Sequence, residues 1–390
     1  MNILVVLPWD LASGGVMSVA GHMARHLAER GHGILFFIAG QSHRLRHRTT
    51  AWRFRGYDQY LRSVEGDHGG IVDLLKFTAL LPLSLGQLAL LIRRERIQLI
   101  NIHYPLAGHV QFAFLRKLLP VRLVTVVHGA DLFPGGAPST HYPWSLQFLL
   151  EASDRIVTPS DSLGRDVVGA FPRLAPRTRT IHNCVETAEF EGARRAERFR
   201  GSPRIILCIA AHNEKKAIDV LLKAFAILRP DEAVLRLQLV GDGPLRSDLE
   251  RLAANLGVSN AVDFLGIRDR REIVELLSGT DVVVLPSRAE PFGIAVLEGM
   301  AAGKPVVASA TGGIVEIIEH ERNGLLVPPD DPLALANELH RVLVDPALAA
   351  ALSAAGHETV RRRFTRERMG CDYEQLFEQL VSPPHPVSQS

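Results

Sequence analysis

Short, almost continuous apolar runs alternate with amphipathic segments along this chain, and the alternation occurs twice. In the first half, residues 3–7 read as a strand; Val16, Val19, Ala20, Met23 and Leu27 then recur at helical spacing, and Gly31 ends that helix. Further strands are expected at residues 33–39, 99–103, 121–127 and 155–158. The second half repeats the scheme, with strands at 204–210, 236–240, 261–265, 281–285, 305–308 and 325–327. Helices at 217–228, 245–256, 270–277 and 293–302 separate them. Strands that are apolar on both faces and divided by helices belong to parallel sheets covered on both sides. The predicted fold class is therefore α/β, with two doubly wound, Rossmann-like parallel-sheet domains.

The expected boundaries follow from composition. Residues 1–185 form the first domain and 204–363 the second, with the charged, strand-poor stretch 186–203 as linker. A helix at about 364–381 can return to the first domain, and the Pro/Ser-rich residues 382–390 read as a disordered tail. A length of 390 residues suits two domains, and 47% hydrophobic residues suffice for two cores. In doubly wound domains the ligand loops follow the strand C-termini, and two such domains are expected to turn them toward a shared cleft.

Net charge is +2, from 44 Lys and Arg against 42 Asp and Glu, with no basic block interleaved with aromatics, which argues against nucleic acid as a partner. Cys184, Cys208 and Cys371 are widely spaced and lack metal-ligand spacing, as expected for a reducing cytoplasm. The apolar run 3–8 has no basic leader and meets Asp10, so it reads as a strand and not as a signal peptide. The apolar stretch 77–92 carries Pro82, Ser84 and Gln87 and is too short for a spanning helix. The Arg93, Arg94 and Arg96 that follow can touch the anionic inner membrane surface; a helix partly buried on its own domain is the competing reading.

The sharpest motif is Glu290-Pro-Phe-Gly-Ile-Ala-Val-Leu-Glu298, which follows a strand and opens a helix. It sets two carboxylates on the loop and inside the helix, with seven residues between them. Gly293 lets backbone approach a ligand, and free amides at the helix start suit a phosphate. Glu290 is placed to hold sugar hydroxyls and Glu298 a ribose; taken alone, a helix cap followed by a solvated glutamate fits equally well. Ser13-Gly14-Gly15 opens a helix after the first strand, where amides can approach a diphosphate. A dinucleotide site there lacks the full G-x-G-x-x-G spacing, and the second strand ends Phe36-Phe37-Ile38-Ala39 without an acid for a ribose.

Around the paired glutamates stand Val240-Gly-Asp-Gly-Pro244, Phe264-Leu-Gly266, Gly303-Lys-Pro-Val-Val-Ala308, Thr311-Gly-Gly-Ile-Val-Glu316 and Asn323-Gly-Leu-Leu-Val327. In this order they resemble the retaining nucleotide-sugar glycosyltransferases of family 4 (glycosyltransferase group 1), which have the GT-B fold. The resemblance covers nearly the whole chain and is strongest from Val240 to Val327. It implies that Glu290 contacts the transferred sugar and Glu298 the ribose. It implies also that backbone around Phe292, Gly293 and Ile294 holds sugar and diphosphate, and that Gly266 and Ile267 border the base. Gly14 and Gly15 match the family's diphosphate-facing turn, and His128, in Val126-Val-His-Gly-Ala-Asp131, its histidine beside the donor sugar. Such a histidine orients the sugar or stabilises charge on the ring and need not act as a base; a structural strand-end histidine is the plainer reading, and plainer still for His103.

The resemblance also calls for an arginine and a lysine about five residues apart, facing the leaving diphosphate. Lys216 matches the lysine, whereas the arginine position falls on Ala211, or on His212 with a one-residue shift. His212 with Asn213, or Arg288 from another loop, could substitute; Lys215-Lys216 could equally be a solvated helix start. With no Asp-x-Asp clamp near a strand end, no metal is expected. The function so implied is metal-independent hexosyl transfer from a nucleotide diphosphate sugar, UDP- or GDP-linked rather than ADP-linked, to a glycan or lipid-linked acceptor. Polysaccharide or glycoconjugate synthesis is the expected setting. A sugar-nucleotide epimerase and a non-catalytic nucleotide-sugar binder are the alternatives.

Overall fold

The computed structural model describes residues 1–8, 15–39, 52–57, 71–133, 144–195, 203–228 and 235–382. The chain divides into two compact units: Met1–His182 with Arg366–Ser390, and Asn183–Thr365.

The first unit is built on a seven-stranded parallel sheet of order β3-β2-β1-β4-β5-β6-β7. Its strands are β1 (Asn2–Leu7), β2 (Gly33–Ala39), β3 (Trp52–Tyr57), β4 (Leu99–His103), β5 (Arg122–Val126), β6 (Arg155–Thr158) and β7 (Thr178–Thr180). Period-two alternation sends Leu4, Val6, Leu35, Phe37, Ile100 and Ile102 into one core. There they meet Leu88 and Leu91 of α2 (Ile71–Arg94) and Phe112 and Leu115 of α3 (Val110–Leu118). No described helix is long and apolar enough to cross a membrane, and Pro82 lies inside α2.

The second unit has a six-stranded parallel sheet of order β10-β9-β8-β11-β12-β13. The strands are β8 (Arg204–Ile209), β9 (Leu235–Val240), β10 (Val262–Gly266), β11 (Val282–Leu285), β12 (Val306–Ser309) and β13 (Leu325–Val327). One face packs on α7 (Ile218–Leu228) and α12 (Pro332–Val344), the other on α10 (Ile294–Ala301). In both sheets the strand order reverses beside the first strand, at β1/β4 and at β8/β11.

Expected strands recur with shifts of a residue at their ends, and β3 and β7 are additional edge strands. Within the stretch read as linker, a 3-10 turn at Thr187–Phe190 leads into α6 (Glu191–Arg195), while residues 196–202 lie outside the described residues. Phe190 and Ala193 are buried in the second unit's core, because apolar side chains spaced among charges still anchor a segment. The last helix, α14, runs Arg366–Val381 and belongs to the first unit, where Tyr373 and Phe377 are fully buried. It packs on α1 (Gly15–Glu29) so closely that a Cβ on Gly370 would stand 2.1 Å from the His26 ring. Phe364, just before it, stays in the second unit against Phe292. Residues 383–390 lie outside the described residues.

Candidate active site

In a doubly wound sheet the crevice opens where strand order reverses, since the loops on either side diverge there. In the second unit these are the loops after β8 and β11, and each delivers one partner of an ion pair. The turn after β8 runs through Glu214–Lys216 and is closed by Ala217 in the left-handed region at φ 49°. The loop after β11 carries Ser287, Arg288 and Glu290. Lys216 Nζ donates to Glu290 Oε2 at 2.5 Å, and Ser287 Oγ donates to the same oxygen at 3.3 Å. Glu290 is 9% exposed and meets that ammonium directly, as a buried carboxylate needs a partner. Backbone bonds from Arg288 N and Ala289 N to Lys215 O, at 2.7 and 3.3 Å, tie the two loops together.

Glycine shapes the floor of this crevice. Gly313 N donates to Glu290 O at 3.0 Å, and a Cβ on Gly312 would stand 1.9 Å from that carbonyl. Gly293, at φ 107°, is the N-cap of α10 and offers no side-chain cap, so the first amides of α10 are available to an anion. Phe292 is buried, and only its backbone is available to a ligand. Ile294 begins α10. Glu298, one turn into α10, is buried and paired with Arg270 at the start of α9 (Arg270–Gly279). Burial lifts the Glu298 carboxyl above its ordinary range, and Arg270 opposes the lift.

Gly266 ends β10 at φ 71° with open space where a Cβ would point, and the neighbouring Ile267 is 81% exposed. His212 is fully buried, edge-on to Phe264 at 6.0 Å, and among the described residues neither its ring nitrogens nor Asn213 Oδ1 has a hydrogen-bond partner. Desolvation, with Arg246 nearby, lowers the His212 pKa, so the ring is a neutral donor and not a replacement cation. Arg288 does not replace the absent arginine either. Its guanidinium grips both oxygens of Asp219 at 3.0 and 2.9 Å, Asp330 at 2.6 Å and the Glu214 carbonyl at 2.8 Å.

In the first unit, His128 follows β5. Its Nε2 lies 3.2 Å from His103 Nδ1, and the two rings stack at 5.4 Å. His103 Nε2 in turn meets Asn101 Oδ1 at 2.9 Å, while Asn101 Nδ2 donates to Val124 O at 3.4 Å. An amide whose nitrogen is committed to a carbonyl presents its oxygen to His103 Nε2–H. His103 Nδ1 is then an acceptor for His128 Nε2–H, which leaves His128 Nδ1 as a lone pair. Desolvation holds His128 at a pKa of about 3, and His103 is also pushed well down, by burial and then by His128. The loop is closed by Asp131, whose carboxylate accepts from His128 N, Gly129 N and Leu132 N at 2.7–3.0 Å. The His103–Asn101 relay is legible in sequence only as two polar residues alternating on one face of an otherwise apolar strand. Gly14 lies outside the described residues; Gly15 is exposed at the start of α1.

A three-ligand cluster among the described residues, His32, Glu374 and Glu378, lies where α14 meets α1. There His32 Nε2 and Arg30 Nε already meet Glu374 Oε1, at 2.9 and 3.3 Å.

Two family models match: Glycosyltransferase Family 4 over residues 13–189 and Glycosyl transferases group 1 over residues 189–359. The chain is similar to N-acetyl-alpha-D-glucosaminyl L-malate synthase of Bacillus anthracis, 27% identical over 374 residues and 93% of each chain. It is similar also to D-inositol 3-phosphate glycosyltransferase of Saccharomonospora viridis, 34% identical over 68% of this chain and 66% of that one. Sucrose-phosphate synthase from Thermosynechococcus elongatus has the same fold, with a TM-score of 0.79 at 23% identity over 97% and 98% of the two chains. So does Anabaena HepE in complex with UDP and glucose, with a TM-score of 0.76 at 21% identity over 98% and 99%.

Proposed function

From the premise that this chain belongs to the family 4, group 1 glycosyltransferases of GT-B fold, we propose that it moves a hexosyl-type sugar with retention of configuration. The donor is a UDP- or GDP-linked sugar and the acceptor a hydroxyl of a glycan or lipid-linked molecule in polysaccharide or glycoconjugate synthesis. The observation that carries this reading is the Lys216–Glu290 pair across the β8/β11 reversal. As the nucleoside diphosphate departs, charge grows on its terminal phosphate, and a fixed ammonium with glycine-exposed amides stabilises it. Those groups supply what a divalent ion would, so the reaction is metal-independent. Glu290 orients sugar hydroxyls, and Gly266 and Ile267 flank the base. His212 is a neutral donor near the nucleotide, and His128, whose Nδ1 has no hydrogen-bond partner among the described residues, orients a sugar hydroxyl without acting as a fixed cation.

Radiolabelled UDP-, GDP- and ADP-sugars, incubated with and without acceptors and with chelator, test the reading. Acceptor-dependent transfer that survives the chelator, with NMR showing the donor's anomeric configuration in the product, is the expected result. Donor conversion without acceptor would point to an epimerase, and binding without turnover to a non-catalytic binder.

Peripheral attachment to the inner membrane surface on the cytoplasmic side is part of the same reading. Leu83 and Leu90 are exposed seven residues apart on α2, which ends in Arg93 and Arg94. Leucine contact with acyl chains and arginine contact with anionic headgroups reinforce one another. Cosedimentation with anionic but not zwitterionic vesicles, lost in Leu83→Ser/Leu90→Ser, is expected.

A further inference from the structure

Arg270 makes a one-pronged ion pair with the buried Glu298. Three arginine–aspartate pairs that link distant elements here are two-pronged. Arg116 meets both oxygens of Asp154 at 2.7 and 2.8 Å, Arg288 both of Asp219, and Arg236 both of Asp263. That geometry satisfies the carboxylate completely and is what a purely structural bridge adopts. Arg270 splits its fork instead: Nη1 donates to Glu298 Oε1, while Nε donates to Glu189 Oε2 at 2.7 Å. Its guanidinium lies over the Phe190 ring at 4.6 Å, and the start of α9 is fixed by a capping box between Asp269 and Glu272. Three contacts therefore hold the cation in place. Glu298 Oε2 accepts no hydrogen bond among the described residues, although the residue is only 7% exposed.

We propose that Arg270 is a positioning residue for nucleotide recognition: anchored by Glu189 and Phe190, it grips one oxygen of Glu298 and leaves the other for the ribose diol. This rests on the reading of Glu298 as the ribose-binding acid. The division of labour has a physical reason. A buried carboxylate tends to pick up a proton, and a protonated acid loses acceptor capacity toward a diol. A bidentate arginine would keep it ionised but occupy both oxygens. A single-pronged contact keeps the charge and spares one acceptor. Lysine cannot do the same, because one ammonium on a flexible stem lacks the rigid fork that reaches two carboxylates.

Isothermal titration of UDP and GDP, each against its 2′,3′-dideoxy counterpart, tests the proposal on wild type, Arg270→Ala, Arg270→Lys and Glu298→Gln. The ribose preference is a ratio of affinities, so partial unfolding of a variant cancels. Wild type is expected to favour the ribonucleotide on the order of tenfold, the value of one charged hydrogen bond. Glu298→Gln and Arg270→Ala are expected to lose most of that preference and Arg270→Lys part of it. Arg270→Ala should regain it as pH rises, because its unpaired carboxyl ionises only at higher pH; Glu298→Gln should not. Full preference in Arg270→Ala alongside loss in Glu298→Gln overturns the proposal and spares the ribose reading. Full preference in Glu298→Gln overturns the ribose reading itself.

Discussion

At the scale of single residues, the candidate site depends on a few buried charges whose partners are fixed by hydrogen bonds. Lys216→Ala removes the ammonium that meets Glu290 and, in the proposed reaction, a stabiliser of the leaving phosphate, so turnover is expected to fall on the order of a hundred- to a thousandfold. Steady-state kinetics at saturating donor would check this; a kcat within threefold of wild type would contradict the assignment. Ala211, exposed on the same strand-end loop, occupies the position where the family's arginine is expected. Ala211→Arg is therefore expected to raise kcat, by about tenfold if it supplies part of what one preorganised donor supplies elsewhere. His128 makes a prediction about stability. Its folded pKa is held near 3, below the unfolded value of 6.5, so the unfolded chain binds the extra proton between those values. Stability of the first unit should fall as pH drops from 6.5 toward 3, by up to about 1.4 kcal/mol per pH unit for this group. Thermal melts of His128→Gln should show a shallower decline.

At the scale of elements, loop geometry decides what each segment tolerates. Gly312 stands at φ 51° with Glu290 O where a Cβ would go, and a Cβ added at Gly313 would stand 2.6 Å from the Phe292 Cα. Gly312→Ala is expected to displace the Glu290 loop and weaken donor binding at least tenfold, whereas Gly21→Ala is expected to stabilise. Gly21 lies inside α1 with nothing within 4 Å of an added Cβ, so alanine's helix preference adds about 1 kcal/mol. Chemical denaturation of the two variants would compare them directly.

At the scale of the whole molecule, the chain's end completes its beginning. Met369, Tyr373, Leu376, Phe377 and Leu380 of α14 are buried within the first unit. Burial of a large apolar side chain contributes about 1.5–3 kcal/mol, so together they approach the full stability of an ordinary domain. A chain truncated after Thr365 should retain the protected core of the second unit in hydrogen exchange and lose protection across β1, β2 and β4. Equal protection in both units would show that α14 is dispensable.

Central strands were legible because a strand buried on both faces must be apolar throughout, which is why β1, β2, β4 and most of the second sheet could be read directly. The edge strand β7 reads Thr-Arg-Thr and pairs on one side only, so backbone pairing with β6 makes it a strand and its side chains carry no such signal. The glutamate and lysine motifs were legible from spacing and resemblance, since ligand loops must follow strand ends. Which groups they face was not. That Lys216 meets Glu290, that Arg288 is spent on Asp219, and that Arg270 shares its fork between Glu189 and Glu298 depend on residues 28 to 81 positions apart. Periodicity and local propensity act over a few residues; such pairings exist only once the sheet has ordered its strands and brought the loop ends together.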